Sequence, residues 1–190
     1  MDDDPSVWLT SEQEEAWRSL MAAILLLPGA LDAQLQRDAG LTHGGYVVLS
    51  ALSEAPERQI RMRRLAEMAS MSMSRLSHLV DRLEARGWVE RRPVPGDGRS
   101  TMAGLTDAGW EKVVETAPGH VDAVRSLVFE GLSAEQTRQL KSIFDTIVPK
   151  IDPENRLSAC GATRRGAAPA SAAPASAAPA SAARASAARS

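Results

Sequence analysis

Apolar residues recur at helical spacing in six stretches of this chain, and between the fourth and fifth the pattern breaks into a short hairpin. Trp17, Leu20, Met21, Ile24, Leu27, Leu31 and Leu35 trace one side of a long first helix. Thr10 or Ser11 opens it, with Gln13 and Glu14 as capping-box partners. Pro28 removes one backbone hydrogen bond and is expected to kink it. A second helix runs from His43 to Leu52 behind Thr42, although Gly44 and Gly45 cost helix propensity in its first turn. The pattern Met62 to Ala69 predicts a short third helix, and Ser70-Met71 a tight turn lacking the glycine common there. Ser72 caps a fourth helix that reaches Arg86 and stops at Gly87. Thr106 caps a fifth, through Trp110, Val113, Val121 and Val128, interrupted at Pro118-Gly119. A capping box, Ser133-x-x-Gln136, opens the last, whose Leu140, Ile143, Phe144, Ile147 and Val148 form a stripe ending before Pro149.

The hairpin pairs Trp88-Val89-Glu90-Arg91-Arg92 with Thr101-Met102-Ala103-Gly104-Leu105. Gly96 and Gly98 bracket Asp97 at its turn, and Pro93 and Pro95, which cannot donate ladder hydrogen bonds, belong at the edge or the tip. Arg99 projects from that tip. An arginine there suits a narrow minor groove, with Asp97 placed to hold the loop or a nearby arginine. An ordinary solvated hairpin is the competing reading, and the position directly after the fourth helix weighs against it. On that helix Leu76, Leu79, Val80 and Leu83 face inward, whereas Ser74, Arg75, Ser77, His78, Asp81, Arg82 and Arg86 lie outward or at the margin. Its first turn thus presents Ser72, Ser74, Arg75, Ser77 and His78 as a helix-turn-helix presents its reading residues. Arg75 is the candidate for a bidentate contact to guanine, and Arg82 for phosphate or Asp97.

The Asp97-x-Arg99 tip, followed by Leu105-Thr106-x-x-Gly109, resembles the wing of the MarR family of bacterial transcriptional regulators, and the resemblance spans about Thr10 to Ile151. It implies a mainly helical fold with a small β-hairpin wing: a winged helix-turn-helix lobe over about 42–105, flanked by N- and C-terminal dimerisation helices. It further implies a homodimer with interleaved terminal helices and two wings spread over a pseudo-palindromic operator in double-stranded DNA. Regulators of this kind often bind small phenolic or other aromatic acids between the lobe and the dimer helices, where Trp17, Met21, His43 and Tyr46 are the candidate lining residues. Packing within a core is the competing reading of those four, and no effector is named. Oxidant sensing through a cysteine near the start of the first helix is not expected, because this chain has none there.

Charge changes the picture by its distribution. The chain is formally −2, yet residues 58–99 hold ten Arg and no Lys against Glu67, Asp81, Glu84, Glu90 and Asp97, a local +5. Such a stripe is the electrostatic footprint of phosphate contact. Composition bias toward arginine, 19 against 3 lysines, explains Arg over Lys but not the clustering. The apolar stripes of the first and the last two helices exceed what the lobe can cover, which argues for a two-fold dimer. Residues 1–151 are read as the folded domain and 152–190 as a disordered Ala/Pro/Ser-rich tail. Residues 155–190 carry five arginines and no acid (+5), leaving −7 on residues 1–154. The tail is open to two readings, added phosphate attraction or a neutral extension.

Cys160 is solitary, and the three histidines His43, His78 and His120 are scattered. No metal spacing, catalytic constellation or phosphate-cradling loop is expected, hence no cofactor and no enzyme. The longest apolar run, Met21 to Leu31, is short for a bilayer and contains Pro28-Gly29, and the start of the chain is acidic, so a cytoplasmic, nucleoid-associated protein without membrane contact is expected. The function expected is a DNA-binding repressor released by a small ligand. The alternative is a winged-helix protein-interaction module without DNA binding, which would be expected to lack the outward Arg75, Arg82 and Arg99.

Overall fold

The computed structural model describes residues 8–94 and 96–155, without the side chains of residues 97–99. Pro95, the side chains of Asp97 and Arg99, Cys160 and the segment 156–190 therefore lie outside the described residues.

Six α-helices and a three-stranded sheet follow in the order α1 (Ser11–Ala39), α2 (His43–Glu54), β1 (Gln59–Arg61), α3 (Met62–Met68), α4 (Met73–Glu84), β2 (Val89–Val94), β3 (Asp97–Leu105), α5 (Asp107–Val124) and α6 (Ala134–Ile151). The helices start where a side chain can satisfy the first free N–H groups. Thr10 and Ser133 each form a full capping box, with Gln13 and Gln136, and Thr42, Ser72 and Thr106 each accept from the residue three positions on. Helix α1 runs through Pro28 as one element. Two expectations change in detail: α5 is unbroken through Pro118, and α6 continues past Pro149 to Ile151. After α5 a π-helical turn, Arg125–Phe129, ends that arm.

The sheet has order β1-β3-β2, all antiparallel. The β2–β3 hairpin is the expected one, and Pro93 sits on the edge strand β2, where its missing N–H costs least. Strand β1 was not legible, because three residues, Gln59-Ile60-Arg61, are too few to show an alternation. It follows a turn in which Glu57 and Arg58 both adopt positive φ. The tight turn between α3 and α4 is made without glycine: Ser70 itself takes φ 49°. The two glycines opening α2 have a steric reason. A Cβ on Gly44 would approach Met71 Cε to 2.9 Å, and one on Gly45 would come within 3.1 Å of the capping Thr42 Oγ1. What they lose in propensity is returned as close packing of α2 on the helix-turn-helix.

A single core cluster runs from Leu41 to Val113, including Val48, Leu49, Leu52, Leu65, Leu76, Val80, Val89 and Ala103. The terminal helices are different. Helix α1 buries only Leu31, Gln34 and Leu35, in its last third, and α6 buries none of its residues. Trp17, Ile24, Leu25, Leu26, Val121, Ile143, Phe144 and Val148 are all exposed. By length and composition alone α1 would also qualify to cross a membrane. Its uncharged stretch, residues 19–31, covers about 20 Å of helix, against about 30 Å of bilayer hydrocarbon.

Candidate nucleic-acid interface

Helix α4 is amphipathic in the way its sequence requires: Leu76, Leu79, Val80 and Leu83 are buried, while Ser72, Ser74, Arg75, His78 and Arg82 are exposed and Ser77 is half-buried. Ser72 Oγ accepts from Arg75 N at 3.2 Å, so this hydroxyl fixes the start of the helix. The first turn of α4 then stands at the surface with its positive dipole end free of acidic side chains. Arg75 and Arg82 have no ion-pair partner among the described residues. His78 lies 3.7 Å from Asp81.

The wing is tied to this helix by a residue that the pattern of outward positions does not reveal. Arg91, on β2, places Nη1 2.7 Å from Asp81 Oδ1 and 2.8 Å from Glu84 Oε2, and donates from Nη2 to the Ser77 carbonyl at 2.9 Å. Its backbone N–H also donates to Glu84 Oε1. Only 24% of the side chain is exposed, so this is a half-buried, many-bonded clamp rather than a surface pair. It holds β2, and with it the hairpin, at a set angle to α4.

At the far end of the hairpin the Leu105-Thr106-x-x-Gly109 segment locks the wing to α5. Leu105 enters the core; Thr106 Oγ1 donates to the Gly87 carbonyl at 2.6 Å and accepts from Gly109 N at 3.0 Å. A Cβ on Gly109 would lie 2.1 Å from the Trp88 carbonyl oxygen, so only glycine fits there. The spacing of the motif is thus a packing requirement.

The arginine cluster divides in two. Arg58 pairs with Asp107 at 3.1 Å and stacks on Trp110; Arg86 donates to the Gly40 carbonyl at 3.0 Å and lies over Trp88; Arg91 is the clamp. Arg63 and Arg64 share Glu67 and Arg92 pairs with Glu90. Six of the ten arginines thus have partners within the chain. What remains without a partner among the described residues is Arg61, Arg75 and Arg82, two of them on α4, with the β3 tip bearing Arg99 nearby in sequence.

The four residues considered for a ligand pocket occupy two places. Trp17 is exposed and Met21 half-buried on the outer part of α1, about 20 Å of helix from Asp32. His43 and Tyr46 sit where α1, α2 and α5 meet. There the Tyr46 ring lies 4.4 Å and the His43 ring 6.3 Å from that of His120, a residue on α5 that spacing did not single out. Asp32 Oδ1 accepts from His43 N at 2.7 Å, and Gln34 Nε2 donates to Asp38 at 2.9 Å. Gln34 Oε1, Thr116 Oγ1 and His120 Nδ1 are buried without a hydrogen-bond partner among the described residues. Burial lowers the pKa of His120, with His43 adding to the effect; burial also lowers that of His43, opposed by Asp32. Both imidazoles are therefore held toward the neutral form. Tyr46 is raised, by burial and by Glu54.

Residues 39–100 match the sequence model of the MarR family. The solved structure of Sco3205 from Streptomyces coelicolor, a MarR family transcriptional regulator in complex with DNA, is 49% identical; it matches 75% of this chain and 90% of that one with a TM-score of 0.71. CouR from Rhodococcus jostii RHA1, solved bound to p-coumaroyl-CoA, is 26% identical over 67% of this chain and 87% of its own, with a TM-score of 0.58. Transcriptional repressor MprA of Escherichia coli (strain K12) is 26% identical over 113 residues, 60% of this chain; the match spans 64% of that protein's length.

Proposed function

The chain belongs to the MarR family, and from that premise we propose that it is a dimeric, sequence-specific DNA-binding repressor that acts by binding rather than by catalysis. The observation that carries this is the exposed first turn of α4. Arg75 and Arg82 are left unpaired among the described residues, while Arg58, Arg86 and Arg91 are bound within the fold. Sorted by role, Arg75 and Ser74 read base edges in the major groove, His78 and Ser77 line the same groove, and Arg82 meets phosphate. Ser72 presents the helix, and Arg99, with Asp97 supporting it, reaches the minor groove.

The dimer is supported by the exposed apolar faces of α1 and α6, which need a second copy to cover them. Two lobes related by a two-fold axis would read an inverted repeat with half-site centres about 10 base pairs apart. The effector reading rests on the α1–α2–α5 junction, where His43 and Tyr46 face His120 and where α1 and α5 carry three buried polar atoms without a partner among the described residues. A small aromatic acid there supplies a ring for the aromatic walls, a carboxylate to accept from the Thr116 hydroxyl and, where it carries a hydroxyl, a donor for Gln34 Oε1. Trp17 and Met21 join that site only if a partner's α1 brings them to it.

Light scattering of the purified protein, followed by recovery and sequencing of genomic fragments it retains, tests the reading. The expected result is a dimer mass at micromolar concentration and an enriched inverted repeat. A monomer, or equal retention of all duplexes, overturns it.

A further inference from the structure

The junction of α1, α2 and α5 is built without a permanent cation for the acid it is read to bind. Besides histidine, these three helices carry only Arg18, Arg37 and Lys112 as basic residues. Arg18 pairs with Glu14 toward the opposite end of α1, Lys112 pairs with Glu115 and lies over the Trp88 ring, and Arg37 is exposed in the last turn of α1. Acids stand close instead: Asp32 accepts from His43 N, and Asp38 from Gln34 Nε2. Gln34 lies opposite α5, where a Cβ on Gly119 would come 3.6 Å from its Nε2. Thr116, Gly119 and His120 share that face of α5 by their spacing. Gln34 Oε1 and Thr116 Oγ1, on side chains only 8% and 5% exposed, and His120 Nδ1 are thus left without partners, among the described residues, on the two sides of one helix contact.

We propose that a carboxylate effector enters this junction together with one proton, which His120 takes from solvent and holds as an imidazolium against the ligand; the proposal rests on the effector reading above. Among the described residues nothing else stabilises a charged His120. Its Nδ1 has no partner, burial opposes charging it, and the group acting on it is His43, whose ring is 6.3 Å away and repels it when protonated. His43 differs, because Asp32 already acts on it from α1. The other titratable groups facing the cluster are Asp38 from α1 and Tyr46 from α2, the latter held neutral by burial and by Glu54. Asp32 and Asp38 both repel a bare carboxylate, and a proton taken up with it leaves the entering pair without net charge. The step moves one proton from water to His120, and the ligand stays ionised. Its sign follows from linkage: the bound anion raises the proton affinity of His120, so binding strengthens as pH falls, by up to about tenfold per unit. An uncharged analogue has no such dependence.

Calorimetry of the full chain with benzoate, and with benzamide as its uncharged counterpart, tests this between about pH 8 and 6.5. Expected is a benzoate affinity that rises as pH falls, approaching about tenfold per unit, and a flat one for benzamide. Titrations in two buffers of different ionisation enthalpy are expected to show uptake of up to about one proton per benzoate. His120→Gln is expected to match the parent by circular dichroism and to bind benzoate without proton uptake; Arg37→Gln is expected to behave as the parent. Benzoate binding without uptake in the parent overturns the proposal whatever the variants do, and so does uptake that persists in His120→Gln. Loss of benzoate binding in Arg37→Gln overturns it as well, and assigns the anion to that guanidinium. A parent that binds neither probe at millimolar concentration removes the effector site itself, and the proposal with it, which separates the two failures.

Discussion

The winged lobe and the terminal helices are built from equally apolar sequence, yet only the lobe buries it. Between Leu41 and Val113 nearly every inward position of α2, α3, α4 and the sheet is closed to solvent, whereas α6 buries nothing and the outer two thirds of α1 exposes Trp17, Ile24, Leu25 and Leu26. A helix stripe is only half an interface; the lobe supplies its other half from within one chain, and the terminal helices do not. The lesson is that apolar periodicity specifies which face will be buried but not which chain buries it.

The comparison breaks most visibly at α6. Phe144→Asp places a charge on the exposed stripe, where burial against a second copy would leave it unpaired at a cost of several kcal/mol. Gel filtration with light scattering is expected to show monomer, unchanged helix content by circular dichroism, and operator affinity reduced by about a hundredfold or more. A variant that remains dimeric shows that the stripe is not the interface.

On the lobe side the sensitive point is Gly109. Gly109→Ala forces its Cβ against the Trp88 carbonyl, and overpacking of this kind costs about 1–3 kcal/mol, here expected at the upper end because the clashing atom is backbone. Chemical denaturation reads this directly. Equal stability of variant and parent would mean the α5 junction yields easily.

Arg75 and Arg91 sharpen the contrast between a reader and a clamp. Arg75→Ala is expected to cost about 1–3 kcal/mol on the operator, relax preference at one base position, and leave stability unchanged. Arg91→Ala removes bonds to Asp81, Glu84 and Ser77 and is expected to lower stability by about 2 kcal/mol, with weaker binding to all sequences alike. Denaturation curves and a panel of single-base operator variants distinguish them; interchanged results would reassign both residues.

The smallest effect belongs to the histidines joining the two regions. His43 and His120 have folded-state pKa values below the usual 6.5. In that situation the unfolded chain takes up protons first as pH falls, so stability is complete above about 6.5 and declines from there down through the lowered folded values. Thermal midpoints are expected to drop a few degrees between pH 7.5 and 5, and to drop less in His120→Gln. A pH dependence identical in parent and variant excludes His120 as its source.

Helix starts, the α4 faces and the hairpin turn were legible in the sequence, because each depends on residues a few positions apart, a hydroxyl and the N–H three residues on or a leucine and the next turn; the Leu105-Thr106-x-x-Gly109 motif was legible as a spacing, but its reason, the Gly87 and Trp88 carbonyls about twenty residues earlier, was not. Strand β1, the Arg91 clamp and the His43–Tyr46–His120 cluster were not legible either. Each of these joins residues far apart along the chain, or, for Arg91, turns a side chain counted as surface charge into a buried contact across two elements. Local chemistry determined what each segment becomes, and the tertiary structure alone decided which of nine arginines between Arg58 and Arg92 remain free for another molecule, because pairing depends on distance in space and not on position in the sequence.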